Sequence, residues 1–135
     1  PLLYIPPRLD LRAGDAFVRA ISLIEGEVFA PDHGYLPVLA GKKGYAHVST
    51  YWCIWAGDDG EIKDHLDGEI ETALREHRFA AVIIDAPEIE YPPFLARIEK
   101  HYRPAGPLVK NDGSYGPTFN KVLKIPSQPR IYLPR

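Results

Sequence analysis

One stretch of the chain decides the fold: residues 60–85 read GEIKDHLDGEIETALREHRFAAVIID. Its first part predicts a helix that begins at Asp59 or Gly60, because apolar residues recur at helical spacing. The expected buried stripe of this helix consists of Ile62, Leu66, Ile70, Ala73 and Leu74. Its last part, Phe79–Ile84, is an uninterrupted apolar run, which is typical of a strand covered on both faces. A helix that leads directly into a buried strand predicts an α/β fold with this strand at the centre of the sheet.

The rest of the chain continues the alternation of helix and strand. The further predicted elements are an amphipathic helix at 14–25, a strand at 27–30, a helix from Pro92 to about Tyr102, and short edge strands at 119–125 and 130–133. Parallel neighbours need a crossover, which helices supply, so the prediction is a three-layer α/β domain with a mostly parallel sheet. Residues 1–12 contain Pro6 and Pro7 and are expected to form an extended arm or linker, and residues 13–135 a single α/β domain.

Composition argues against several functions. The net charge is −2 and the sequence pI is near 6.2, so no basic patch suited to neutralising phosphates is expected, and nucleic acid is not a predicted partner. The single cysteine, Cys53, excludes an internal disulfide and gives no zinc signature. No GxxxxGK[ST] pattern surrounds Lys42. Neither a metal nor a cofactor is predicted.

Polar residues follow two of the predicted strands. Asp32 and His33 come after the first strand, and Asp85 ends the buried run. In one interpretation Asp32 caps a short helix at residues 35–40 and Asp85 caps a loop. In the other they form a ligand-binding cluster, because polar groups beyond the carboxyl ends of strands line the usual crevice of such sheets. The residues of that candidate cluster are Asp32, His33, Lys42, His47 and Asp85.

Aromatic residues gather just after this region. Tyr45, Tyr51, Trp52 and Trp55 lie within eleven positions of one another. Such rings stack on sugars, lie at the headgroup level of a membrane, pack in a core or form a surface for a partner. All four interpretations remain open on the sequence.

Three segments carry a resemblance: EVFAPDHGYLPVLAGK at 27–42, KGYAHVSTY at 43–51 and FAAVIID at 79–85. Together they resemble the tail that follows the last membrane helix in bacterial polytopic glycosyltransferases of the polyprenyl-phosphate-sugar class, relatives of protein mannosyltransferases. The likeness rests on the order and spacing of these motifs between residues 24 and 133. Cys53 departs from the pattern, since relatives often carry an acidic residue in that region.

The resemblance implies that this chain is a fragment, an extracytoplasmic domain of a cell-membrane protein. The family's catalytic acidic residues lie in the membrane region, so no catalytic residue is predicted here. The expected function is noncatalytic assistance to acceptor or lipid-linked sugar binding, or docking of a partner. The expected partners are the membrane domain of the same parent chain and a glycan or polyprenyl-phosphate-linked sugar. The alternative is a stand-alone small α/β ligand-binding module or enzyme, with its site at the carboxyl ends of the strands.

Overall fold

The structure, a computed structural model, describes residues 8–57, 60–84, 92–110 and 129–135. Its helices and strands follow one another along the chain as α1 (Arg8–Ser22), β1 (Glu27–Phe29), a 3-10 turn (Pro31–His33), α2 (Tyr35–Leu39), α3 (Val48–Ala56), α4 (Gly60–Arg75), β2 (Phe79–Ile84), α5 (Pro92–His101), β3 (Tyr102–Pro107) and β4 (Arg130–Pro134). None of the described helices is long and apolar enough to cross a membrane.

The four strands form one open sheet in the order β1-β2-β4-β3. The prediction that Phe79–Ile84 is a central strand is confirmed, because β2 pairs with β1 on one side and with β4 on the other. The pair β1–β2 is parallel, as expected for strands joined by a helical crossover. The pairs β2–β4 and β3–β4 are antiparallel. The α/β class is therefore confirmed, a mostly parallel sheet is wrong for the described strands, and the three-layer arrangement stays a prediction.

The last strand lies in a different place from the one predicted. β4 was expected at an edge, but it lies inside the sheet between β2 and β3. The edge is occupied by β3, which the sequence analysis did not predict because Pro104, Gly106 and Pro107 fall within it. An edge strand tolerates proline, since one row of its backbone groups needs no partner. The predicted strand at 119–125 lies outside the described residues.

The amino-terminal helix also differs from its prediction. It begins at Arg8 and ends at Ser22, so residues 8–12 of the predicted extended arm are helical. Residues 1–7 lie outside the described part of the chain, and the domain boundary at residue 12 stays a prediction. Gly26 then allows the chain to turn into β1 with a φ of 104°, a conformation that favours glycine.

Side chains of the strands alternate between two buried clusters. Phe29, Val82 and Ile84 belong to the first cluster, which α3, α4 and α5 complete with Tyr51, Ile70, Ala73, Leu74, Phe94 and Ile98. Val28 and Ile83 belong to the second, together with Ile21 of α1 and Leu36 of α2. The stripe predicted for α4 is buried at Ile70, Ala73 and Leu74, partly buried at Leu66, and wrong at Ile62, which is 52% exposed.

Candidate functional site

Three of the candidate ligand residues lie around the carboxyl end of β1. Asp32 and His33 form part of the 3-10 turn, and the structure brings His47 against that turn, with its Nε2 2.8 Å from the backbone oxygen of Asp32. Asp85 lies outside the described residues. The structure therefore joins three of the five candidates, and the role of the set in ligand binding stays a prediction.

His47 has a structural task in this arrangement. Its Nδ1 accepts a hydrogen bond from the backbone N–H of Ser49 at 3.1 Å and lies 2.8 Å from the Ser49 hydroxyl, so His47 is the N-cap of α3. An Nδ1 that accepts this N–H carries no proton, and the Nε2 hydrogen then points to the Asp32 carbonyl. The imidazole thus ties the start of α3 to the turn after β1.

Lys42 makes structural contacts, and Asp32 does not cap the helix that follows it. The Lys42 ammonium donates to the backbone oxygens of Ile24 at 2.5 Å and Gly26 at 3.1 Å, which fastens the loop between α1 and β1. The short helix predicted at 35–40 is present as α2, but its N-cap is Gly34 without a side-chain hydrogen bond. The interpretation of Asp32 as the cap of this helix is therefore wrong.

A second feature is an open cleft of about 590 Å³ between α4, the turn that follows it and the loop that contains Tyr45. Its lining consists of Phe29, Tyr45, Tyr51, Asp64, His65, Leu66, Gly68, Glu69, Ile70, Thr72, Ala73, Arg78 and Phe79. Arg78 and Phe79 stand at the beginning of β2. Much of the cleft is thus built away from the carboxyl end of the sheet, where the sequence analysis placed the ligand site.

The floor of the cleft is aromatic. The rings of Phe29 and Phe79 stack with their centroids 5.0 Å apart, and Tyr45 meets Phe79 edge to face at 5.1 Å. Parallel pairing of β1 with β2 brings Phe29 and Phe79 onto the same face of the sheet. The sequence analysis noted Tyr45 and Tyr51 but not these two phenylalanines, because their contact depends on which strands become neighbours.

The polar side of the cleft comes from one face of α4. Asp64, Gly68 and Thr72 follow one another at intervals of four residues, and His65 and Glu69 form a parallel row. His65 Nε2 and Glu69 Oε1 are 3.6 Å apart. This spacing was the available sequence signal for the cleft. The signal was missed because the i, i+4 rows of polar residues on this helix were not interpreted together.

The hydroxyl of Tyr45 is fixed beside the cleft by the carboxylate of Glu27, to which it donates a hydrogen bond. Burial and this hydrogen bond raise the pKa of Tyr45 to about 12, while the positive charge of Arg78 acts in the opposite direction. Burial also raises the pKa of Tyr51, and the carboxylate of Glu69 adds to that effect. Both phenols therefore stay protonated at neutral pH and offer hydroxyl groups near the cleft.

The side chain of Tyr51, which lines the cleft, is held in place by packing against Trp55. Its ring stacks on Trp55 with centroids 6.0 Å apart, and the Trp55 indole N–H donates to Asp67 Oδ1 at 2.7 Å. Arg97 donates to both carboxylate oxygens of Asp67, at 2.6 and 3.0 Å, and lies 5.5 Å from the Trp55 ring centre. Trp55 is thus packed against α4 and α5, which favours the core-packing interpretation for this ring.

The turn after α4 sets the position of Arg78. The backbone N–H of Arg78 donates to the Ala73 oxygen at 3.0 Å, and that of His77 to the Leu74 oxygen at 3.1 Å. These two bonds form a Schellman motif, in which His77 adopts a left-handed φ of 51°. The chain therefore reverses within three residues and brings Arg78 to the end of the cleft.

Fold and cleft together define a class: an α/β domain with an open mixed sheet and an aromatic cleft bordered by polar side chains. Within the described residues, no group of three or more His, Cys, Asp or Glu side chains is placed to hold a metal ion. Comparison of the chain with protein-family models, with curated proteins and with solved structures found no match.

Proposed function

We propose that this chain is a noncatalytic extracytoplasmic domain of a bacterial membrane glycosyltransferase, and that it assists binding of the acceptor or of the lipid-linked sugar. The observation that carries the proposal is the cleft, where Tyr45 and Tyr51 stand beside the hydrogen-bonding face of α4. The motifs at 27–51 and 79–85 support the glycosyltransferase class. The membrane domain of the same parent chain is the proposed partner.

The chemistry of the cleft suits a sugar. A sugar ring presents apolar C–H faces and a periphery of hydroxyl groups, so it needs both a flat ring and hydrogen-bonding groups. The partly buried ring of Tyr45 supplies the first, since the other aromatic rings of the lining are at most 8% exposed. Asp64, Glu69 and Thr72 supply acceptors and a hydroxyl, and Arg78 supplies donors. A few polar groups that converge over an aromatic floor are typical of small-ligand sites.

The candidate residues near β1 fit this role less well. Lys42 is hydrogen-bonded to two backbone oxygens, and both ring nitrogens of His47 have partners. A ligand would have to displace these bonds, and breaking them would loosen the loop after α1 and the start of α3. We therefore place the proposed glycan site in the cleft.

Chemical-shift mapping of the ¹⁵N-labelled chain tests the proposal. Short neutral oligosaccharides and a prenyl-phosphate sugar mimic are titrated to millimolar concentration. The expected perturbations are those of the amides of Gly68, Thr72 and Ala73 in the wall of the cleft. Perturbations confined to the 3-10 turn and His47, or none with any ligand, would contradict the placement.

A matched pair of variants separates the cleft from the rest of the surface. Glu69→Gln removes a carboxylate that lines the cleft and is expected to weaken binding about threefold, the equivalent of ~0.7 kcal/mol. Glu99→Gln removes an exposed carboxylate of α5 that does not line it and is expected to leave binding unchanged. Equal effects of the two variants would contradict a specific site.

The proposal also includes an expectation about turnover. The isolated chain is expected to transfer no sugar from a polyprenyl-phosphate donor, because the resemblance places the catalytic carboxylates in the membrane region. Product formation by the purified chain, abolished by Asp32→Asn, would favour the stand-alone enzyme instead.

A further inference from the structure

The charged groups around the cleft are divided between its two ends. From Asp64 to Thr72 the axis of α4 rises about 12 Å, at ~1.5 Å per residue, which is longer than a single sugar ring. Asp64 begins this path and Glu69 lies about 7.5 Å along it, both before Thr72. We call these two residues the acidic end. Positive side chains gather where α4 finishes.

The basic end consists of Lys43, Arg75 and Arg78. Arg78 lines the cleft directly. The Arg75 guanidinium lies 3.5 Å from the hydroxyl of the lining residue Thr72, and the Lys43 ammonium lies 5.0 Å from the ring centre of Tyr45. No carboxylate in the described ranges forms an ion pair with Arg78.

The carboxylate of Glu27 stands among these cations, because it accepts the hydrogen bond of the Tyr45 hydroxyl. The exposed Glu76 follows Arg75 directly in the chain. Three cations and two carboxylates leave this end with a net positive charge at neutral pH. The opposite end has Asp64 and Glu69, with His65 beside Glu69.

We propose that the cleft binds a glycan carrying an anionic substituent, a carboxylate or a phosphate, in one orientation, with the anion at Arg78 and sugar hydroxyls at Asp64 and Glu69. The inference deepens the proposed function and rests on it. Arg78 offers a planar set of N–H donors that matches the oxygens of either anion. The carboxylates of Asp64 and Glu69 accept hydrogen bonds from hydroxyls but repel an anion, so the reverse orientation is unfavourable.

Matched ligand pairs test the preference for an anion by calorimetry or NMR titration at low salt. Digalacturonate is compared with its dimethyl ester, and glucose 1-phosphate with methyl glucoside. Each anion is expected to bind about fivefold more tightly than its neutral partner, as for an exposed charge pair of ~1 kcal/mol. About 0.5 M NaCl is expected to remove most of the difference. A preference in only one pair identifies the anion that the site accepts.

Arg78→Gln is the decisive variant. It is expected to abolish the preference for the anion, so that the two members of each pair bind with similar affinity. The control is Arg103→Gln, an exposed arginine of β3 that does not line the cleft, which is expected to retain the preference. Thermal melts check that both variants fold like the parent.

The outcomes distinguish the two proposals. Equal binding of the anionic and neutral ligands, or a preference that survives in Arg78→Gln, would overturn the inference and leave the glycan-binding function intact. Absence of binding by every ligand at millimolar concentration would overturn both.

Discussion

Replacing Asp67 with alanine should destabilise the domain strongly, because three hydrogen bonds from two other helices end on its carboxylate. Arg97 donates to both oxygens, at 2.6 and 3.0 Å, and the Trp55 indole donates at 2.7 Å. The Asp67 side chain is 25% exposed and that of Arg97 is 33% exposed. The carboxylate therefore links α3, α4 and α5 in a partly buried position.

The size of the effect follows from these contacts. Hydrogen bonds to a charged group contribute about 1.5 to 3 kcal/mol each when buried, and an exposed ion pair under ~1 kcal/mol. Partial exposure places the whole group between one exposed ion pair and three buried hydrogen bonds, so we expect Asp67→Ala to cost about 2 kcal/mol. For a chain of this size that corresponds to a fall in Tm of roughly 8 °C.

The assay is urea unfolding at 25 °C followed by far-UV circular dichroism. This signal is preferable to tryptophan fluorescence, because the substitution changes the surroundings of Trp55 itself. Asp64→Ala, on the same helix but exposed, is the control and should change the free energy of unfolding by less than ~0.5 kcal/mol. Equal free energies of unfolding for the two variants would show that the hydrogen bonds to Asp67 contribute nothing to stability.

The effect of Asp67 should also depend on pH. The hydrogen bonds from Arg97 and Trp55 hold the pKa of this carboxyl below its usual range in the folded state. Its stabilisation is therefore complete above the unfolded pKa of about 3.9 and is lost as the pH falls through the lower folded pKa. The difference between the parent and Asp67→Ala should stay constant from neutral pH to about pH 5 and narrow below about pH 4. A difference unchanged at about pH 2 would refute the electrostatic explanation.

Three further substitutions test the fold. Ile83→Asp buries an unpaired charge at a position only 2% exposed and should abolish the cooperative thermal melt. The control Ile62→Asp, at a half-exposed position, should melt like the parent. An intact melt for Ile83→Asp would show that β2 is peripheral. His77→Gly relieves the strain of a left-handed backbone conformation and should raise the free energy of unfolding, measured in urea, by about 0.5 to 1 kcal/mol. A decrease would show that contacts of the His77 imidazole outweigh this strain. His47→Ala removes the cap of α3 and should lower the free energy of unfolding by about 1 kcal/mol. The control His65→Ala, at an exposed position, should lower it hardly at all. Equal losses in the two variants would argue against capping by His47.

Elements with a regular local pattern were predicted well from the sequence. α4 begins at Gly60, and β2 covers the apolar run at 79–84, both as expected. A helical stripe or a buried strand is encoded within a few residues, so it can be recognised before any partner is known.

Elements that depend on distant partners were not predicted from the sequence. α3 has a segment rich in aromatic and β-branched residues, VSTYWCIWA, which gives no clear amphipathic pattern, so no helix was predicted there. The structure makes it a helix, capped by His47, with Tyr51 buried against the strands and α5. Propensity is a weak preference of about 1 kcal/mol or less per residue, and tertiary packing overrides it.

The candidate site, too, was predicted from the sequence only in part. The sequence predicted ligand residues at the end of β1, and the structure brings Asp32, His33 and His47 together there. The cleft instead combines residues from β1, the loop before α3, α3 itself, α4 and the start of β2. No local pattern contains such a set, although the polar face of α4 was visible in the spacing of Asp64, Gly68 and Thr72.

The sequence by itself determined the α/β class, the central apolar strand and its preceding helix, because periodic burial is encoded in short segments. Only the tertiary structure decided that β4 enters the sheet antiparallel between β2 and β3, and that the aromatic floor meets the polar face of α4. Strand direction and neighbours depend on contacts between residues far apart in the chain. Alternative strand directions and neighbours differ in free energy only through these long-range contacts, which form when the whole core is assembled.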